Sequence, residues 1–293
     1  MPSVLIVGGD SQIGRALSAD LPGLGWSATA TTRRPDAAAH AIRFDLSAPP
    51  DAWPELPRAD AAVLCAAATR QRDCEDDPAG TARVNRDGAI RLARRLTDAG
   101  AFVLLLSTVA VFDGRRPYRR HDEAPCPANA YGRQKAEAEE AVLEDRSAAV
   151  LRLSKVMGPD MPLLAHWVAE LRNDRAITAF DDAGFAPVSA RFVVGLVDRI
   201  LRCRRHGIYH ASGDRDLPYA TFAAMLCDAL RAPGTLCEVR PSGGAAAAGH
   251  TTLDMSLERD LFGVDQPGSE ATIRQALNDL CGGGSSDKKA MSV

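Results

Sequence analysis

Short apolar or β-branched runs alternate with helix-length amphipathic segments through the first half of the chain, and this rhythm restricts the fold more than any other feature. The runs lie at 3–7, 26–31, 41–44, 61–66, 101–107 and 148–153. Strands separated by a helix-length crossover pair in parallel, because only a long connection returns the chain to the same end of a sheet. "VLIVG" and "FVLLLS" lack polar alternation, as expected for strands covered on both faces. The predicted class is therefore α/β, a doubly wound parallel sheet.

Beyond residue 154 glycine and proline are more frequent, a helix is expected over 163–172, and short strands over 176–180 and 207–211. This reads as a smaller mixed C-terminal domain. "PSGGAAAAGH" (241–250) reads as a flexible surface loop and "GGGSSDKKAMSV" (282–293) as a disordered tail.

Composition narrows the class of function. The 293 residues are 46% hydrophobic and 25% charged, ordinary for a globular chain with a sizeable core. A net charge of −3 with interspersed signs offers no stripe for a polyphosphate backbone, so nucleic acid is not an expected partner. The longest apolar run, 101–106, is too short to span a bilayer, and the reading is cytoplasmic, with no membrane partner. The seven cysteines are scattered without CxxC spacing, which argues against disulfides and zinc and reads as small core residues. No histidine pairing of the HExxH kind supports a metal.

Four stretches carry chemistry. "GGDSQIG" (Gly8–Gly14) follows the first strand and opens a helix near Gln12, a Rossmann-like turn that aims backbone N–H groups and a positive helix end at a pyrophosphate. Ser11 stands where a glycine is usual. It is expected to cap the helix and offer its hydroxyl to a phosphate, with Gly8, Ser11 and Gly14 lining the cradle and Asp10 pointing away. The second strand ends in "TATTRRP", where an acid for a ribose 2′-hydroxyl is replaced by Thr31, Thr32, Arg33 and Arg34. Arginine matches a 2′-phosphate bidentately, so the cofactor reading is NADPH, with NADP preferred over NAD. Asp45, closing the third strand, either reaches the adenine edge or caps a turn.

"AYGRQKAEAEE" places Tyr131 and Lys135 on one helical face. With four tyrosines and four lysines in the chain, chance supplies such a YxxxK about 0.05 times. A phenol is a poor acid near neutrality unless a cation favours its phenolate, the role expected of Lys135, which could also hold a cofactor ribose hydroxyl. "LLLSTVAVFDG" ends a strand in Ser107 and Thr108, at the sheet edge where such folds bind ligands.

Thr108, Tyr131 and Lys135, together with "CAAATR", "ARVNRDGAIRLAR", "VFDG", "YGRQKAEAE", "VLRLSKVMGP" and "GIYHASG", resemble the extended short-chain dehydrogenase/reductases. Within them the dTDP-4-dehydrorhamnose reductase branch is the most similar, over most of 3–281. The resemblance implies an NADP-binding Rossmann domain over 1–153, which also receives parts of 186–212, and a substrate-binding domain over 154–281. It implies that Thr108 and Tyr131 bind a sugar C4 carbonyl and that Lys135 supports Tyr131 and the ribose. Gln12 and Ile13 would contact the pyrophosphate, Asp45 and Leu46 border the adenine, and Ala66 and Ala67 line the path to the nicotinamide. Asn85 would lie near the substrate.

The implied reaction is NADPH-dependent reduction of a nucleotide-linked 4-keto-6-deoxysugar. Alternatives are a nucleotide-sugar epimerase with bound NAD and a non-catalytic NADP-binding regulatory subunit. The 4,6-dehydratases are less similar, because Thr108 precedes Val109 and Ala110 rather than an acidic pair. Lys155 stands where the branch usually places a tryptophan, and a cation there suits an acidic sugar or a phosphate. Some relatives dimerise through magnesium; no matching cluster is carried here, and a homodimer is left open.

Overall fold

The computed structural model describes residues 1–34, 41–158, 161–243 and 249–282. The tail expected from 282, apart from Gly282, and residues 244–248 of the loop expected over 241–250 lie outside the described residues.

The strands are β1 Ser3–Val7, β2 Ser27–Thr32, β3 Ala41–Arg43, β4 Ala61–Leu64, β5 Phe102–Thr108, β6 Ala148–Leu153, β7 Lys155–Met157, β8 Ile177–Phe180, β9 Gly184–Phe185, β10 Pro187–Ser189, β11 Gly207–Ala211, β12 Leu217–Pro218 and β13 Cys237–Arg240. The helices are α1 Gln12–Asp20, α2 Gln71–Asp76, α3 Pro78–Ala82, α4 Ala89–Asp98, α5 Ala130–Val142, α6 Pro162–Arg172, α7 Ala190–Cys203, α8 Tyr219–Leu230, α9 Ser256–Phe262 and α10 Ser269–Gly282. A six-residue π-helical turn, Arg83–Gly88, precedes α4.

Seven strands pair in the order β11-β6-β5-β4-β1-β2-β3, every pair parallel. Alternate residues of β1 supply two cores. Val4 and Ile6 join Leu17 of α1 and Val193, Val197 and Ile200 of α7 on one face. Leu5 and Val7 join Leu92 and Leu96 of α4 and Ala138 and Val142 of α5 on the other. With both faces covered, unbroken apolar runs are what the strands require. A third core, built from Met157, Leu164, Trp167, Phe185, Phe222 and Ile273, unites β7 and β9 with α6, α8 and α10. The order in which strands are added reverses between β1 and β4: from β1 the sheet grows outward to β2 and β3, and from β4 it grows the other way to β5, β6 and β11. That crevice at the carboxyl ends is the usual ligand position of such sheets. No helix among the described residues is long and apolar enough to cross a membrane.

The cysteines correct the sequence reading in part. Cys74 and Cys227 are buried, but Cys203 and Cys281 are exposed and the other three intermediate, so small-core packing accounts for only some of them.

A buried polar cluster fastens β11 and α9 to the sheet. Arg152 of β6, 1% exposed, donates to both carboxylate oxygens of Glu139 of α5, 2% exposed, at 2.7–3.2 Å. His210 donates its backbone N–H to Glu258 at 2.7 Å. Burial lowers the His210 imidazole to about 3, and burial pushes the Glu258 carboxyl up to about 7, against the stabilising His210 N–H. Below the ordinary glutamate range both folded and unfolded chains hold the Glu258 proton; above it only the folded chain does, so this group's contribution to stability declines until pH passes about 7. His210 acts in the opposite sense, since its contribution is lost as pH falls below the ordinary histidine range. Comparing Glu258→Gln with the parent isolates the first effect. Urea unfolding is expected to show the variant gaining stability relative to the parent as pH rises, approaching about 3 kcal/mol at pH 8.

Candidate functional site

The turn between β1 and α1 is shaped by how closely three backbones meet. Gly8 has φ +86°, and a Cβ there would lie 2.8 Å from the Ala66 backbone. At Gly14 a Cβ would lie 2.2 Å from the Gly8 carbonyl oxygen, so only glycine lets α1 seat against the turn. Thr31 closes the other side, its hydroxyl accepting from Gly8 N–H at 3.1 Å and its carbonyl from Gly9 N–H at 2.8 Å.

Ser11 caps α1. Its Oγ accepts from Gly14 N–H at 3.0 Å and donates to the Gly8 carbonyl at 2.8 Å. Its φ of −71° is ordinary extended backbone, so replacing the usual glycine costs no strain. The hydroxyl proton is directed to Gly8 rather than toward a phosphate, which corrects that part of the sequence reading.

Beside this turn a cavity of about 440 Å³ opens at the switch between β1 and β4. Gly8, Ser11, Arg33, Asp45, Leu46, Ala66 and Ala67 line it, as expected from sequence. Asp45 caps the turn after β3, accepting from the Ser47 N–H and hydroxyl at 2.9 and 2.7 Å, and its side of the turn walls the cavity. Burial works against its charge, but the Ser47 bonds and the Arg33 and Arg43 guanidinium groups hold its carboxyl below the usual range.

Other expected residues stand apart from the cavity wall. Gln12, Ile13 and Gly14 belong to the first turn of α1 behind it, and Gln12 Nε2 reaches the Val156 carbonyl at 3.3 Å. Asp10, expected to point away, lines the cavity and pairs with Arg34 at 3.6 Å, which leaves Arg33 as the arginine of this pair in the wall. A carboxylate is tolerated there because the guanidinium beside it offsets its charge.

Thr31 and Thr32 line the cavity too, and sequence reasoning missed Val7, Phe44, Ala68, Thr69, Arg70, Asp73 and Val84, which complete the lining. The small-residue run "CAAATR" after β4 was the available signal for 68–70. Val84 comes from the π-helical turn, which no pattern in the chain announces.

Thr108, Tyr131 and Lys135 lie outside the cavity wall, Thr108 at the carboxyl end of β5 and the other two on α5. Thr108 ends β5, opposite Leu153 of β6, and its Oγ1 accepts from Ala110 N–H at 3.1 Å. Helix α5 begins under an Asn129 cap, which accepts from Gly132 N–H at 2.8 Å. A Cβ on Gly132 would lie 2.0 Å from the Ala110 carbonyl oxygen, so this glycine presses α5 onto the turn that follows Thr108. Lys135 then donates to the Leu106 carbonyl at 2.7 Å. Tyr131 is 9% and Lys135 2% exposed.

Burial lowers the Lys135 ammonium to about 8, with Glu139 and Cys65 opposing. Burial also raises the Tyr131 phenol above its ordinary range, and Cys74 acts in the same direction. This corrects the expectation of a phenolate favoured by Lys135: desolvation dominates, and Tyr131 is held protonated.

Asn85, expected near the substrate, is 1% exposed and fully engaged with Ala68 and Gln134. Its amide has no group left for a ligand, so its part is internal bracing. Lys155 opens β7, two residues past β6, is exposed, and has no hydrogen-bond or ion-pair partner among the described residues. Surrounding protein lowers its ammonium pKa although the side chain reaches solvent.

The chain belongs to the family described as RmlD substrate binding domain, whose model matches residues 2–280. It is 30% identical over 261 residues to a dTDP-4-keto-6-deoxy-D-glucose reductase of Streptomyces niveus, covering 85% of this chain and 87% of that protein. It is 31% identical over 192 residues to the methionine adenosyltransferase 2 subunit beta of Pongo abelii, covering 59% of this chain and only 55% of that protein. Among solved structures, the dTDP-4-dehydrorhamnose reductase of Bacillus anthracis in complex with NADP superposes with a TM-score of 0.81 at 18% identity, over 95% of this chain and 99% of that one. The Rossmann-like α/β fold is thus that of the short-chain dehydrogenase/reductases.

Two substitutions separate the parts of the turn. Ser11→Ala removes the cap and should cost about 1 kcal/mol in urea unfolding. Gly14→Ala, which forces α1 away from Gly8, should cost more than the lost cap in the same measurement.

Proposed function

We propose that the chain reduces the C4 carbonyl of a nucleotide-linked 4-keto-6-deoxysugar with NADPH. The observation that carries this reading is that Gly132 presses α5, the helix of Tyr131 and Lys135, onto the turn after Thr108, with Lys135 bonded to the Leu106 carbonyl, while the cavity opens at the same carboxyl edge of the sheet. The turn that Gly8 and Ser11 present to the cavity fits a dinucleotide pyrophosphate, and Arg33 fits a 2′-phosphate. When bound, the nicotinamide supplies the hydride.

The protein's own groups perform the rest. The Thr108 hydroxyl accepts from Ala110 N–H and keeps its proton for a substrate carbonyl. Tyr131, held protonated by burial, donates its proton to the developing alkoxide, a far stronger base than phenolate, so the transfer runs downhill. Lys135 stays charged below about pH 8, where it favours the phenolate that remains and holds a ribose hydroxyl. Lys155 takes the substrate's phosphate or an acidic sugar substituent.

Family membership and the 30% identity to a sugar reductase over most of both chains support this reading. A second reading, a dinucleotide-binding regulatory subunit without turnover, is supported by the 31% identity to a methionine adenosyltransferase subunit beta. NADPH oxidation over a panel of nucleotide 4-keto-6-deoxysugars distinguishes them. Turnover supports the reductase, whereas tight NADPH binding with no oxidation anywhere in the panel supports the regulatory subunit.

Tyr131→Phe should abolish turnover while leaving NADPH affinity within about two-fold, since the phenyl ring keeps the buried volume. A variant with near-normal turnover overturns the proton-donor role. The kcat/KM profile should fall above about pH 8 as Lys135 loses its proton. Arg33→Ala should weaken NADPH at least about ten-fold more than NADH, and equal losses refute the 2′-phosphate role.

A further inference from the structure

Between Tyr131 and Lys135, on the same helix, lies a buried glutamine that neither the cavity nor the proposed chemistry uses. Gln134 is 5% exposed. Its Nε2 donates to the Pro78 carbonyl and to Thr81 Oγ1 of α3, both at 3.0 Å, and its Oε1 accepts from Asn85 Nδ2 at 2.8 Å. Asn85 in turn grips one residue by both backbone groups: its Oδ1 accepts from Ala68 N–H at 2.8 Å and its Nδ2 donates to the Ala68 carbonyl at 3.0 Å. Every proton of the two amides has an acceptor. A fully satisfied buried network of this kind fixes the elements it joins far more firmly than an apolar contact, because any displacement orphans a desolvated polar group.

The elements joined are the two halves of the site. Ala68 is a wall of the cofactor cavity and Gln134 sits on the helix of Tyr131 and Lys135. Asn85 belongs to the π-helical turn, a form of helix that recurs at functional positions because its extra residue re-aims side chains. The same turn meets the cavity twice more. Val84 lines it, and a Cβ on Gly88 would lie 2.5 Å from the carbonyl oxygen of Leu46, on the opposite wall. One short segment thus contacts both walls of the cavity and, through a single amide–amide bond, the catalytic helix.

We propose that Gln134 is a positioning residue which, through Asn85 and the π-helical turn, ties the order of the cofactor cavity to the placement of Tyr131 and Lys135. This rests on the reading of the cavity as a nicotinamide dinucleotide site. Gln134 itself lines no part of the cavity, so a merely structural role predicts lost stability with unchanged cofactor affinity.

The test is a double-mutant cycle in NADPH affinity with Gln134→Met, Asn85→Ala and the double variant, each first shown to be folded by circular dichroism. Gln134→Met is expected to weaken NADPH about ten-fold, Asn85→Ala at least as much because it also releases Ala68, and the double variant no more than Asn85→Ala alone, because Gln134 acts through Asn85. A Gln134→Met protein that melts earlier but binds NADPH within about two-fold of the parent overturns the proposal, as do losses that multiply. The parent protein supplies a second measurement, independent of any variant. NADPH should slow hydrogen exchange of the amides 79–82 in α3, which holds the far side of Gln134 but lines no part of the cavity; slowing confined to cavity-lining residues overturns the proposal. Failure of the parent to bind either NADPH or NADH overturns the dinucleotide reading, and this proposal with it.

Discussion

Pairing seven strands in one direction leaves every N–H and C=O of the inner strands satisfied within the sheet, but it obliges each connection to cross a face and return. The crossovers bury both faces, so the loops at the carboxyl ends are the part of the first half where residues can be chosen for a ligand. The site follows from that constraint. Gly8, Asp45 and Ala66 follow β1, β3 and β4 at one edge, and Thr108 and Lys155 lie at or just past the same ends of β5 and β6. The reversal of strand order between β1 and β4 opens the crevice that these loops surround.

Close backbone approach is the second recurring device. Gly14 admits α1 to the turn after β1, and Gly132 admits α5 to the turn after β5. In both cases a missing Cβ sets the distance between a helix and the residues with which it must work. The first seats α1 on the glycine turn, and the second seats α5, the helix of Tyr131 and Lys135, on the turn that follows Thr108. Burial then decides the protonation states, keeping Tyr131 neutral and bringing Lys135 to about 8.

Much of this was legible in the chain. The strand runs, the glycine turn, Ser11 as a cap, and Tyr131 and Lys135 on one helical face are local patterns, set by residues within a turn or two of one another. Asp10, Asn85 and the phenol of Tyr131 were misread for a shared reason. Each one's state depends on a group distant in sequence: Arg34 beside Asp10, Ala68 and Gln134 around Asn85, and the surrounding core for Tyr131. Phe44, Asp73 and Val84 were missed because a cavity wall is assembled from separate segments and leaves no spacing to read.

The sequence by itself determined the parallel α/β sheet, the position of the glycine turn after β1 and the helix bearing Tyr131 and Lys135, because strand period, helix period and glycine placement are short-range properties of the backbone. Only the tertiary structure decided which hydroxyls and amides are free to meet a ligand and which are committed to other parts of the protein. It also decided how far burial shifts each titratable group. Both depend on desolvation and hydrogen bonding between residues that the chain order keeps apart and folding brings together.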